Sequence, residues 1–251
     1  AALEGHAAQV HDVATIGAYH QMAVPGVAFV APWNSPPTFL LIAAGLAALP
    51  YPVAALVFLG MGAAVYFVAA RKLAPEAMIF AATLPAALYH LGTVQTGLLI
   101  AGVSGLALHW LDRRPLLGGA LVSVLAIKPH LALLWPLLLA LSGRWRAFAA
   151  AAAATGVFVL LAGLTFGFEA YGRFLENLGA SQAMISGQRI TTPAYASLYA
   201  SVVGFGAPQW VAAAAQGVSA AAGLVAFGAT LGVIPGLGKR ERGIQGRTHG
   251  P

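Results

Sequence analysis

The sequence predicts an all-α, polytopic membrane protein: a transmembrane helical bundle with short or broken helices around an outward-facing cavity. Three observations predict it. The chain is 59% hydrophobic and 8% charged, against roughly 25% charged in a soluble domain, so it has too few charges to cover itself in water. Its apolar residues fall into separate runs near the length of a spanning helix. Its basic residues gather in short turns between those runs.

The elements follow in order. Residues 1–35 are mostly polar and read as an outward-facing amino-terminal segment. About 35 polar residues on the outside need something upstream to export them, so this segment is expected to be truncated upstream of Ala1. Residues 36–234 form the transmembrane domain, and residues 235–251 read as a disordered, basic cytoplasmic tail with no packed core.

A spanning helix needs about 20 apolar residues. Runs 53–70, 148–166 and 211–233 approach or reach that length. Runs 77–89, 97–111, 116–127 and 131–141 are shorter, 194–203 is short and weakly apolar, and 38–49 is stopped by LPYP. That gives eight or nine helical segments. Short runs either borrow flanking residues to span, or stop inside the protein where polar backbone lines a wet cavity. Both readings stand. Run 38–49 is either a half-inserted helix or the first part of one kinked crossing. The alanine-rich stretch 147–155 suits close helix packing through small side chains.

Orientation follows from charge. The turns RKLAPE (71–76), DRRP (112–115) and SGRWR (142–146), with the tail from Lys239, are cationic and belong on the cytoplasmic side. The turns at 90–97 and 128–130 and the stretch 167–193 then face outward. The net charge of +6 is explained by this pattern, and nucleic acid is not expected as a partner. Cysteine is absent, which removes disulfides and thiolate metal sites. The chain has no G-x-x-x-x-G-K-[ST] loop, no H-E-x-x-H and no D-x-D pair, so no metal site or metal-held nucleotide sugar is expected.

Chemistry concentrates in the outward turns. Lys128, in AIKPHL, stands between two of the most apolar runs. It is either a lysine snorkelling to headgroups or a fixed cation for an anionic substrate group, with His130 beside it. A lysine ammonium is a compact point charge suited to phosphate, and an anion at this depth would be a lipid phosphate. His90 and Gln95, in YHLGTVQTGLL, offer a ring nitrogen and an amide to a hydroxyl-rich ligand; His90 can equally be a packing residue. Trp33 and Asn34, in APWNSPPTFLL, supply an interfacial anchor or a sugar-stacking platform. Glu169, Glu176 and Arg189 read as solvated surface charges.

Taken in order, GHAAQVHD, APWNSPPTFLLIAAGLAALPYPVAALVF, GTVQTGLLIAGVSGLALHWLDRRPLLGGAL, LAIKPHLALLWPLLLALSGRWRAF and LTFGFEAYGRFL resemble glycosyltransferase family 87, over roughly residues 4–225. These are GT-C-fold membrane enzymes related to polyprenol-phosphate-mannose-dependent mannosyltransferases. That family commonly has tyrosine-proline-proline where this chain has Ser35-Pro36-Pro37, glycine-glutamine at Val94-Gln95, and lysine-proline-glutamine at Lys128-Pro129-His130. Gln95, Lys128 and Pro129 match; Ser35, Val94 and His130 depart.

The resemblance implies a hexosyltransferase that moves a mannose-like sugar from a polyprenyl-phosphate donor to a glycolipid or glycan acceptor. It implies inversion at the sugar, no cofactor, and a bacterial inner membrane with the active site facing the periplasm or exterior. Lys128 and His130 would hold the lipid phosphate; His90, Gln95, Trp33 and Asn34 would line the sugar or acceptor site. The family's catalytic aspartate is expected upstream of residue 1, and Asp12 matches a later position. The rival class is a lipid or small-molecule transporter or flippase without chemistry, which broken helices and a buried cation also suit.

Overall fold

A computed structural model describes residues 5, 7–23, 25–26, 33–186 and 197–230. Arg189, the first residues of run 194–203 and the tail from 235 lie outside them. Among the described residues all regular structure is helical. The chain forms two compact units, divided between Leu178 and Gly179.

In the first unit α1 (Val13–Ala23) is followed by α2 (Pro37–Leu46), α3 (Tyr51–Leu73), α4 (Met78–Thr83), α5 (Pro85–Thr93), α6 (Gly97–Trp110), α7 (Pro115–Val122), a 3-10 segment (Ser123–Ile127), α8 (Pro129–Ala132), α9 (Leu134–Leu141), α10 (Trp145–Phe166) and the first part, to Leu178, of α11 (Glu169–Ser186). Prolines set most of the boundaries. Pro37, Pro85, Pro115 and Pro129 each open a helix, where the missing N–H costs nothing. Leu84 and Lys128, which precede two of them, are driven out of the helical region, to φ −58, ψ 124 and φ −141, ψ 75.

The helices α3 (23 residues) and α10 (22 residues) are long and apolar enough to cross a membrane. At 1.5 Å per residue each exceeds the roughly 30 Å hydrocarbon layer. Both expose large apolar side chains, Leu56 at 69% and Leu164 at 69% among them. Such faces suit lipid and not water. By contrast α2 has ten residues, or roughly 15 Å, half a crossing. It ends in a turn before α3 and packs on α10 and the 3-10 segment, which favours the half-inserted alternative.

The core lies where α6, α7, α9 and α10 meet, around the fully buried Leu125, Ile127 and Leu139. The most extensive helix pairing is between α3 and α6. A Cβ on Gly102 would overlap the backbone of Val65 and Tyr66, so only glycine lets these two helices touch. Ala147 and Ala151 are buried in the same core and pack α10 on α7, as the alanine-rich stretch suggested.

The basic turns assemble at one end. Lys72 and Arg114 flank the Trp110 ring, 5.6 Å and 5.1 Å from its centre. Arg144 donates to Asp112 Oδ1 at 2.9 Å. Since α6 runs from Gly97 to Trp110 at this end, and α7 runs away from it, the turns at 94–96 and at Lys128 lie at the opposite end.

The stretch after Gly167 is helix, not an open loop. In α11, Ala170, Phe174 and Asn177 are buried, while Arg173 pairs with Glu169 at 3.7 Å and Glu176 at 3.2 Å on the exposed face. That is the i, i+4, i+7 pattern of an amphipathic helix.

In the second unit α12 (Leu198–Gly204) packs on α13 (Gln209–Thr230). Ser197 caps α12 by accepting from the Ala200 amide at 3.1 Å. At seven residues α12 is too short to cross; α13 is long and apolar enough.

Candidate functional site

Two cavities lined by described residues adjoin candidate residues, which the sequence placed around one outward-facing cavity. The first, about 510 Å³, lies among α7, α8, α9, α10 and α11; Ala126, Pro129, Ala152, Thr155 and Phe174 are among its walls. The polar atoms of two lining residues are already used. The Thr38 hydroxyl donates to the Ala126 carbonyl at 2.8 Å, and the Tyr171 hydroxyl to the Val159 carbonyl at 3.0 Å. The cavity therefore presents an apolar surface.

Lys128 is not itself among the residues that line this cavity, but in sequence it stands between two that are, Ala126 and Pro129. The tight 3-10 segment delivers it there: the Lys128 amide donates to the Leu125 carbonyl at 2.9 Å, and Pro129 starts the next helix at once. The side chain is half-buried, and among the described residues no carboxylate pairs with it. A half-buried cation without a counter-charge is expensive unless an anion arrives. His130, by contrast, is exposed one residue beyond the lining.

The second cavity, about 420 Å³, lies between α2 and α3 and includes Trp33, Phe39, Phe58 and Val94 in its walls. Thr38 faces the first cavity and the next residue, Phe39, the second, so α2 is the partition. Trp33 stacks on Phe39 at 5.4 Å and 22°, and Phe39 meets Phe58 edge-on at 5.9 Å.

Two residues that the sequence did not single out hold Trp33. Its carbonyl accepts from Asn177 Nδ2 at 3.1 Å and pairs with His11 Nδ1 at 3.2 Å. The carbonyl can only accept, so His11 carries its proton on Nδ1. Burial pushes the His11 pKa below its ordinary value, and the Trp33 carbonyl partly opposes that shift. Asn177 also donates to Asn34 Oδ1 at 3.0 Å. The signal for Asn177 was its place on the apolar stripe of α11; His11 lay in the GHAAQVHD segment, but nothing there gave it a role.

The turn after α5 brings the remaining candidates together. His90 lines neither cavity. Its ring lies against the backbone of Gly97, where any Cβ would overlap it, and its Nδ1 is buried without a hydrogen-bond partner among the described residues. Val94 ends α5 with φ +52, the left-handed conformation usual for glycine at a helix end. The glycine of the resembled family would adopt it freely; a β-branched residue is strained there. Gln95 follows with an exposed side chain.

Asp12 is a cap. Its Oδ2 accepts from the amide and the hydroxyl of Thr15, both at 2.8 Å, at the start of α1. The Thr15 hydroxyl chiefly, and the Thr15 amide, hold its pKa below the usual carboxylate range. This carboxylate is engaged in folding and lines neither cavity.

The model of glycosyltransferase family 87 matches residues 33–237, from Trp33 at the second cavity through the whole of α13. No curated protein and no solved structure matches the chain.

Proposed function

The chain belongs to glycosyltransferase family 87, and from that premise we propose that it moves a mannose-like hexose from a polyprenyl-phosphate donor to an acceptor at the end of the bundle opposite the basic turns. That the protein is a membrane glycosyltransferase follows from the family and the apolar spans. The donor class rests on one observation: Lys128, half-buried and with no carboxylate partner among the described residues, adjoins in sequence two residues that line an apolar cavity. A cation beside an apolar chamber suits an anion with an apolar tail, which is a lipid phosphate.

The chemistry then divides by place. The acceptor hydroxyl gives its proton to a carboxylate general base, as the resemblance implies, while its oxygen bonds to the sugar's anomeric carbon and the bond from that carbon to the phosphate oxygen breaks. The phosphate leaves on its lipid with added negative charge. Lys128 opposes that charge, and such a contact strengthens as the transition state forms. His130, exposed beside it, would assist at the phosphate. Gln95, with Trp33 and Asn34, would meet the sugar or acceptor, and His90 would keep the Val94–Gln95 turn in place. The basic turns mark the cytoplasmic side, so transfer would take place on the outer face of a bacterial inner membrane.

The test is transfer in right-side-out vesicles given radiolabelled prenyl-phosphate mannose. The expected result is labelled product that added glycosidase removes without detergent. Donor translocated without product would favour a transporter, and product protected until detergent is added would reverse the orientation.

A further inference from the structure

The transfer chemistry makes no use of the basic end of the bundle, where three helix ends are packed around one indole ring. Gly105 brings α6 onto the end of α3: a Cβ there would stand 3.0 Å from Ala69 Cβ and 3.1 Å from Leu73 Cδ1. Gly118 brings the start of α7 onto the end of α6, where a Cβ would stand 3.0 Å from the Leu111 nitrogen. Each helix end then delivers one residue to the cluster. Lys72 comes from the last turn of α3, Trp110 closes α6, and Arg114 immediately precedes α7. Pro115 drives Arg114 out of the helical region, to φ −140, ψ 72, and the Arg114 amide donates to the Trp110 carbonyl at 2.7 Å. Lys72 Nζ and Arg114 Cζ come to lie 5.6 Å and 5.1 Å from the centre of the Trp110 ring, and the His109 ring meets it edge-on at 4.9 Å.

Little nearby neutralises these charges. Among the described residues the carboxylates in the basic turns are Asp112, which Arg144 engages at 2.9 Å, and Glu76, exposed in the turn after α3. Arg71 and Arg113, both exposed, add two further cations beside Lys72 and Arg114 in sequence. Both α7 and α10 begin at this end without an acidic residue in the first turn or a side-chain cap, so each adds the positive end of its dipole. Contact with the indole face holds the cations in place but does not cancel their mutual repulsion, which an anion would relieve.

We propose that the Trp110 cluster binds the phosphate headgroup of an anionic phospholipid, from the leaflet that meets the basic end of the bundle. The surroundings favour a lipid over free phosphate. Leu73, Leu108 and Leu116, on the same three helix ends, are 50%, 48% and 57% exposed, so acyl chains find apolar surface next to the cations. The guanidinium fork of Arg114 matches two phosphate oxygens, and the Lys72 ammonium supplies a point charge for a third. Trp110 is suited to the interface between headgroup and chain. This site stands whether or not the chain transfers sugar.

The experiment is native mass spectrometry of the protein released from nanodiscs of phosphatidylglycerol and phosphatidylcholine in equal amounts. Phosphatidylglycerol is expected to stay bound in preference. Lys72→Gln and Arg114→Gln are each expected to lower its retention about five-fold, the size of one basic residue's attraction at an anionic surface. Lys72→Arg, which keeps the charge, is expected to retain it, and this variant keeps the test open if a glutamine variant fails to fold. Arg146→Gln removes the same charge from the first turn of α10 and is expected to leave retention unchanged. An equal fall in Lys72→Gln, Arg114→Gln and Arg146→Gln would mean diffuse attraction of charge and no site, and would overturn the proposal. Equal retention of the two lipids would overturn it as well. So would inorganic phosphate that binds the detergent-solubilised protein and displaces phosphatidylglycerol at millimolar concentration, since the site would then serve a free anion.

Discussion

Lys128→Ala lowers turnover at saturating lipid donor by roughly 10²–10³, or about 3–4 kcal/mol, the usual loss when one well-placed electrostatic stabiliser is removed. Expression and membrane insertion stay near normal, because among the described residues the side chain carries no ion pair, and the adjoining Ile127, not Lys128, is the fully buried residue. The cost falls on turnover because the phosphate gains charge as it leaves. Lys128→Arg restores only part of the rate, since a planar guanidinium places its charge and donors differently from an ammonium. A lysine that only snorkels to headgroups would behave otherwise: alanine would then keep more than about a third of wild-type turnover, a shift under ~1 kcal/mol.

Ala152→Trp produces the second large effect, and it is of a different kind. Ala152 lines the first cavity from α10 but is exposed, so an indole there fills the chamber without entering the α7–α10 contact made by Ala147 and Ala151. If the lipid chain loses burial of about three methylenes, at about 0.8 kcal/mol each, the Michaelis constant for a long-chain donor rises by tens-fold. Turnover at saturation changes little, because chain burial is the same in the ground state and the transition state. A donor with a chain too short to reach the cavity is expected to be unaffected. Equal effects on long and short donors, measured as kcat and KM across a chain-length series, would place the chain elsewhere.

The membrane bundle was legible because composition and apolar runs report directly on the solvent. The basic turns were legible too: Lys72, Asp112, Arg114 and Arg144 do meet at one end. The helix α11 was missed because it has no apolar run. Its Ala170–Phe174–Asn177 stripe is amphipathic, and Glu169 and Glu176, which read as solvated surface charges, lie on its exposed face. Lys128 stood out as a cation between apolar runs, but that it sits apart from Trp33, across α2, depends on packing between distant segments. No local pattern could show that Thr38 and Phe39 face different cavities. The strain at Val94 was visible only as a departure from the glycine of the resembled family, and became physical once its φ was known. His11 and Asn177 act through the Trp33 carbonyl, a backbone atom that no sequence pattern singles out.

The central claim is that Lys128 and the cavity beside it hold a lipid phosphate. A cryo-electron-microscopy structure of the protein in nanodiscs with a non-transferable polyprenyl phosphate analogue tests it directly. The account predicts the phosphate within about 3 Å of Lys128 Nζ, a charge-assisted contact, with the chain running among Ala126, Pro129, Ala152 and Phe174. A phosphate bound away from Lys128, with that cavity empty and the lysine among headgroups, would contradict it.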